Sequence, residues 1–408
     1  MSLVTIPQHP VFTTENTFES LGLSKAILDC ITHVGFENPT PIQSQIIPIA
    51  LKGQDVIGLS QTGSGKTAAF VLPVAERLTH GKGLRGIIVC PTREIALQTQ
   101  AFLDLFGEHH HLKTVCLIGG IKITSQLRDL KQIPDIIVAT PGRLLDHMER
   151  GTVRLNQIEE VVLDEADHMF DLGFFPQIER ILKALPKERH TMMFSATMPS
   201  AIERLANLFL KNPIRIDIRP EGRAAKGITH RLYLVYPEHK KECLQALLNQ
   251  ELGSTLVFIR RKVDAEWVSK VLEEAGHRVE RIHSDRAQSE RTQALQGFRQ
   301  GEHRILVATD IASRGIDVPG IQHIVNFDIP ETVEDYIHRA GRTARADALG
   351  LVSTISSWMD LPMIKEIEET LGEEIPRCTL SGVPAFTEVK AKKAVRSRPG
   401  FTGRGRRR

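Results

Sequence analysis

No stretch of this chain approaches the ~18 consecutive apolar residues that a membrane-spanning helix needs, so a helical membrane protein is excluded. Positive charge is missing from the start, with no Lys or Arg before Lys25, so the N-terminus does not read as a secretory signal. Cysteine is scarce. Cys30, Cys90, Cys116, Cys243 and Cys378 are odd in number and scattered, with no C-x-x-C pair. That excludes a disulfide scaffold and points to a reducing compartment, the cytoplasm. The triplet His109, His110 and His111 has no Cys or acidic partner in ligand spacing, so it carries no expectation of a metal site.

What is present is ordinary globular composition, 41% hydrophobic and 25% charged over 408 residues, enough for two or three domains. Net charge is +3, but Glu388 to Arg408 alone holds nine Lys/Arg against one acid, a local +8, so the rest of the chain carries −5. This Arg/Gly-rich end is poor in apolar residues and is expected to be disordered. Two readings of it stay open, an electrostatic arm for a polyanion and a solubility tail.

Short β-branched apolar runs alternate with amphipathic stretches throughout. "DVIGL", "GIIVC", "TVCLIGG", "DIIVAT", "VVLDE" and "TMMFSAT" fall in the first half; "STLVFI", "RVERIH", "RILVATD", "HIVNF" and "LVSTIS" fall in the second. Continuous apolar strands between helices indicate parallel sheets covered on both faces, here two α/β domains. Their join is expected in "RPEGRAAKGI", Arg219 to Ile228. The expected division is an N-terminal extension (1–17), a first domain (18–218), a linker (219–228), a second domain (229–372) and a C-terminal extension (373–408). Nearly every run leads directly into a polar cluster, and ligands bind at the carboxyl ends of strands in such sheets.

"SQTGSGKT", Ser60 to Thr67, follows one strand and precedes a helical run. It reads as a phosphate cradle made of Ser60, Gln61, Thr62, Gly63, Ser64 and Gly65. Lys66 would reach the β/γ-phosphates of a bound nucleotide and the Thr67 hydroxyl would ligate Mg²⁺. Ser60 stands where the strict pattern wants Gly. Asp164, Glu165 and Asp167 crowd together in "VVLDEADHMF", an arrangement that repels itself unless a cation or a reaction needs it. Asp164 fits the Mg²⁺ shell at the strand end, and Glu165 fits orientation or deprotonation of the attacking water. Asp167 is too far along for the metal and fits a structural link to the loop Ser195 to Thr197.

Taken together, these motifs resemble the DEAD-box RNA helicases of helicase superfamily two, in family order and over roughly Phe18 to Gly372. The resemblance implies two tandem RecA-like doubly wound parallel-sheet domains, followed by the basic tail. In "FENPTPIQ" it implies that Gln43 reads the adenine edge and Phe36 stacks on the ring. Phe18 resembles the family's isolated upstream aromatic, with a plain core position as the other reading. In "HRAGRTAR" it implies Arg342 and Arg345 as arginine fingers. Asp317 becomes a ribose contact, and His338 couples the domains along with Asp167, Ser195 and Thr197. With no phosphate cradle in the second half, its arginines Arg314, Arg339, Arg342 and Arg345 are expected to complete the site on the first. RNA would be held by Pro91, Thr92, Arg93 and Glu94 ("PTRE"), Gly119, Gly120, Thr140 and Arg143 from the first half, and by Thr309 and Arg314 from the second. Such groups contact phosphate and sugar and carry no sequence information. Aromatic residues make up only 5%, too few for a dense base-stacking platform, so binding is expected to ignore RNA sequence.

Two further departures are Ser284 in "IHSD", where the family usually has Gly, and Ala344 in "GRTAR", where many members have Gly; both are small-for-small changes. The Arg/Gly-rich end resembles the short bacterial RhlE-like subgroup. The expected activity is an ATP-dependent RNA helicase, monomeric and free of membrane, with ribosomal or RNA-decay proteins as candidate partners. The first rival reading is an RNA-stimulated ATPase that clamps RNA without net unwinding; the second is a P-loop kinase or GTPase, which leaves "SAT" and "HRAGRTAR" without an account.

Overall fold

The structure, a computed structural model, describes residues 16–60, 63–78, 83–107, 111–218, 227–310, 320–344, 349–384 and 386. The basic tail, most of the join, and Gln61, Thr62, Arg314, Asp317 and Arg345 lie outside them.

The first sheet has seven parallel strands. They are β1 (Val56–Leu59), β2 (Gly86–Val89), β3 (Thr114–Leu117), β4 (Ile136–Ala139), β5 (Glu160–Leu163), β6 (His190–Ser195) and β7 (Ile214–Asp217), in the order β3-β4-β2-β5-β6-β1-β7. The second has β8 (Ile228–Leu234), β9 (Thr255–Ile259), β10 (Val279–Ile282), β11 (Ile305–Thr309), β12 (His323–Asn326), β13 (Gly350–Ser356) and β14 (Arg377–Cys378), in the order β10-β11-β9-β12-β13-β8-β14. Counted within each unit, the two orders are the same.

Strand side chains alternate between faces, and both faces are buried under helices. Val56, Ile88, Val162 and Met192 enter one core of the first sheet, while their neighbours Ile57, Ile87, Val161 and Met193 enter the other. In the second sheet Leu256 and Phe258 face one core, Val257 and Ile259 the other. The continuous apolar runs of the sequence follow from this double burial.

Three strands were not among the apolar runs. β7 is a mostly exposed edge. β8 begins at Ile228, inside the expected join. β14 is two residues long and lies beyond Gly372. The chain after Gly372 therefore continues into the second unit. β14 pairs in parallel with β8, and the Phe386 N–H donates to the Leu234 carbonyl at 2.9 Å. Phe386 is buried, and its ring meets Tyr236 edge-on at 5.2 Å. Among the described residues no helix is long and apolar enough to cross a membrane.

Candidate active site and nucleic-acid interface

The strand order sorts the motif loops. At the carboxyl edge of β5, β6 and β1, which are neighbours, lie the loops that hold Asp164 to Asp167, Ser195 to Thr197 and the phosphate cradle. At the same edge of β3, β4 and β2 lie Gly119 and Gly120, Thr140 to Arg143, and Pro91 to Glu94. One half of the sheet edge carries the residues expected to hold nucleotide and the other half those expected to hold RNA.

In the cradle, Gly63 and Gly65 have φ of 85° and 90°, a region that side chains disfavour. A Cβ on Gly65 would also collide with the Gln43 and Thr40 side chains. Gly65 caps the helix Lys66–Arg77, so the helix N-terminus faces the loop. Lys66 is buried and its Nζ donates to the Ser60 carbonyl at 2.7 Å. The Ser60 hydroxyl meets that of Ser64 at 2.7 Å, so serine is built into the loop. Gln43 is buried with both amide atoms engaged. Its Oε1 accepts from the Thr40 N–H at 2.9 Å and its Nε2 donates to the Gly65 carbonyl at 3.0 Å. The side chain assigned to adenine therefore also ties its helix to the cradle. Phe18 is a core residue, 3% exposed, stacked on Phe36 at 6.4 Å. Phe36 is half-buried and also meets Phe102 and Phe106 at 6.0 and 6.3 Å.

Asp164 is buried at the end of β5. Burial and the adjacent Glu165 charge push its carboxyl above the usual range, against the pull of Lys66. Burial acts on Glu165 in the same sense. There a hydrogen bond from His168 and the charges of Arg342 and Lys66 outweigh it and hold the group low. This surplus of buried negative charge at Asp164, beside a cradle shaped for phosphate, fits a bound divalent cation. Asp167 makes the expected link. One carboxylate oxygen accepts from the Ala196 N–H at 3.0 Å, the Thr197 N–H at 2.7 Å and the Thr197 hydroxyl at 3.0 Å. Its own N–H donates to the Ser195 hydroxyl at 3.2 Å.

The second unit reaches this site. A small cavity is lined by Lys66, Glu165, Asp167, His168 and Ala196 from the first and by His338 and Arg342 from the second. Arg339 does not join them. Its guanidinium pairs with both Asp310 oxygens at 2.6 Å, donates to Asn326 Oδ1 and the Asp328 carbonyl, and lies over the Phe258 ring. The expectation that it completes the site is corrected, because those internal acceptors use it up.

On the RNA half, Pro91, Thr92 and Thr140 are buried, and the Thr92 hydroxyl accepts from the Ile95 N–H at the start of the helix Arg93–Gly107. The Arg93 guanidinium lies directly over Gly119 and Gly120, where a Cβ would strike it. Arg143 donates to the Ile121 carbonyl at 2.9 Å. Thr309 is buried at the end of β11. Glu94, grouped with the RNA residues, instead faces the second unit. It is 6% exposed, accepts from Gln288 Nε2 at 2.9 Å and pairs with Arg291 at 3.1 Å. Sequence reasoning missed Gln288 and Arg291. Their only local signal is a spacing of three on one helix, which puts them on one face.

Two family models match the chain, "DEAD/DEAH box helicase" over residues 40–205 and "Helicase conserved C-terminal domain" over 239–347. DEAD-box ATP-dependent RNA helicase CshA of Bacillus cereus (strain ATCC 10987 / NRS 248) is 42% identical over 364 residues, covering 88% of this chain and 69% of that protein. The chain belongs to the DEAD-box ATP-dependent RNA helicase family. CshA of Bacillus subtilis (strain 168) is 41% identical over the same share of this helicase and 74% of its own length. The relatives cited here are named CshA, and the RhlE-like placement rests on sequence resemblance alone.

Among solved structures, Saccharomyces cerevisiae Dbp5 bound to RNA and ADP BeF3 overlays with a TM-score of 0.80 at 28% identity, covering 93% of this helicase and 98% of that chain. Mss116p bound to ssRNA and AMP-PNP gives 0.81 at 27% identity, covering 91% and 82%. A DEAD box protein from Methanococcus jannaschii is more similar in sequence, 36%, yet overlays at only 0.52 over 89% of this chain.

Proposed function

We propose that this helicase couples ATP hydrolysis to local, sequence-independent opening of RNA duplexes or remodelling of RNA–protein complexes. The observation that carries the proposal is the shared cavity, in which Arg342 of the second unit lies with Lys66 and Glu165 of the first. A site completed only by closure couples nucleotide to the relative placement of the units. RNA bound across both units is coupled to the same motion, and the coupling is reciprocal.

In this mechanism the cradle amides and Lys66 hold the phosphates. Thr67 and Asp164 would hold Mg²⁺, largely through water, and the ion would neutralise charge on the β- and γ-phosphates. Glu165 takes the proton of the attacking water, while Arg342 and Arg345 stabilise the charged transition state. Gln43 and Phe36 contact the base, Phe18 supports Phe36, and Asp317 contacts the ribose. The link between Asp167 and the Ser195 to Thr197 loop, together with His338, transmits closure. Pro91, Thr92, Arg93, Gly119, Gly120, Thr140, Arg143, Thr309 and Arg314 hold the RNA backbone in a bent path that a duplex does not follow. The same reading takes 18–218 and 229–372, with the strand and Phe386 that follow, as the two working units. It includes a monomeric, cytoplasmic protein, a tail from Glu388 that adds charge for RNA, and ribosomal or RNA-decay partners.

The test is displacement of one strand from a short RNA duplex by the full chain with ATP and Mg²⁺. Displacement that needs hydrolysable ATP and is indifferent to sequence is expected. RNA-stimulated ATPase without displacement would favour the clamp instead.

A further inference from the structure

His168 lies one helical turn beyond Glu165, and none of the roles above uses it. It is 4% exposed and lines the same cavity as Glu165, Lys66 and Arg342. Its Nδ1 is 3.0 Å from Glu165 Oε2. A carboxylate oxygen accepts, so Nδ1 carries the hydrogen and donates. Among the described residues its buried Nε2 has no hydrogen-bond partner. Its backbone N–H donates to Asp167 Oδ1 at 3.0 Å, which ties the residue to the link with the Ser195 to Thr197 loop.

The backbone of Glu165 is also fixed, with φ 50° and ψ 56°, a left-handed conformation that a residue with a side chain keeps only when its surroundings impose it. The strand end and the helix cap thus set where the side chain starts, and His168 sets where it ends. A proton acceptor must stand within hydrogen-bond reach of its proton, and a misplacement of 1 Å can cost roughly a hundredfold in rate.

We propose that His168 is a positioning residue for ATP hydrolysis, whose Nδ1–H pins one oxygen of Glu165 and leaves the other to meet the attacking water. This rests on the role given to Glu165 above. In the step concerned the water oxygen bonds to the γ-phosphorus and its proton passes to Glu165 Oε1. The bond from phosphorus to the bridging oxygen breaks with its electron pair leaving on ADP.

Steady-state ATPase of the full chain at saturating RNA tests the role. His168→Leu keeps the bulk and removes the donor, and kcat is expected to fall at least tenfold with KM for ATP within twofold. In His168→Asn the amide nitrogen takes the place of Nδ1, and kcat is expected to return to within threefold of wild type. In His168→Gln the amide reaches only the Nε2 position, and hydrolysis is expected to stay slow; this variant decides the question if the leucine variant does not fold. In the Glu165→Gln background His168→Leu is expected to add no further loss. Wild-type kcat in the leucine or glutamine variant, an asparagine variant as slow as the leucine one, or a loss that appears in KM would each overturn the proposal. A Glu165→Gln variant that hydrolyses ATP normally would remove the role of Glu165 itself, an outcome distinct from any result at His168.

Discussion

The two sheets share one strand order and differ in what stands at the same place. In each, the first residue of the first α-helix after the first strand is a lysine, Lys66 or Lys240, and an aspartate follows the fifth strand directly or one residue later, Asp164 or Asp328. In the second unit these two meet. Lys240 Nζ pairs with Asp328 Oδ1 at 2.8 Å and lies over the Phe327 ring. Burial works to raise the Asp328 carboxyl, but Lys240 and Arg260 outweigh it and hold the group below the usual range. In the first unit Lys66 donates to a loop carbonyl, and Asp164 is pushed the other way. The loop after β1 has Gly63 and Gly65; the stretch after β8, Val235 to His239, has no glycine and makes no cradle. The second unit pairs its lysine with its aspartate, whereas in the first Lys66 turns to a loop carbonyl, an arrangement that fits a nucleotide substrate. Fold alone decides neither outcome.

The comparison breaks most sharply at Lys66. Lys66→Ala is expected to lower RNA-stimulated ATPase turnover below a tenth of wild type, a loss above about 1.4 kcal/mol of transition-state stabilisation. Turnover above that level in a phosphate-release assay would remove Lys66 from the phosphate site.

Next in size is Arg342→Ala, which removes one of the side chains that the second unit brings to the first unit's site. A fall in kcat of at least tenfold is expected, with ATP affinity changed only a few-fold, because an arginine finger acts chiefly on transition-state charge. Nucleotide titration alongside turnover separates the two effects, and an affinity loss that matches the rate loss would make Arg342 a binding group.

Lys240→Ala sharpens the contrast from the other side. It leaves Asp328 half-buried beside Arg260, and a loss of about 1–2 kcal/mol is expected, discounted for partial solvent screening. A thermal melt should record the loss while KM for ATP stays put; a raised KM would mean that the second unit also senses nucleotide.

The smallest effect is at Ala344. Its φ is 53°, in the region that favours glycine. Ala344→Gly is expected to stabilise by up to about 1 kcal/mol, relief of left-handed strain less the added freedom of glycine. Chemical denaturation measures it. Ser284 has no positive φ, so the matching change Ser284→Gly should give no such gain.

These outcomes divide along the line between local and distant determinants. The apolar runs, the glycines of the cradle, the acidic cluster after β5 and the strand-to-loop rhythm were legible because each is a statement about consecutive residues. Burial on both faces of a sheet writes continuous apolar strands into the chain, and phosphate binding writes glycine and lysine into one loop. β7, β8 and β14 were not legible: an exposed edge, a strand inside a polar join and a two-residue pairing leave no apolar run. The site residues that reasoning misplaced or missed depend on partners far away in the chain. Glu94 turned to Gln288 and Arg291 across 194 or more residues, and Arg339 was taken up by Asp310, Asn326 and Asp328. A charged side chain in sequence shows only that it needs a counter-charge. Which counter-charge it finds, and whether that leaves it free for substrate, is decided when the sheets close and the cost of burying an unpaired charge selects the pairing.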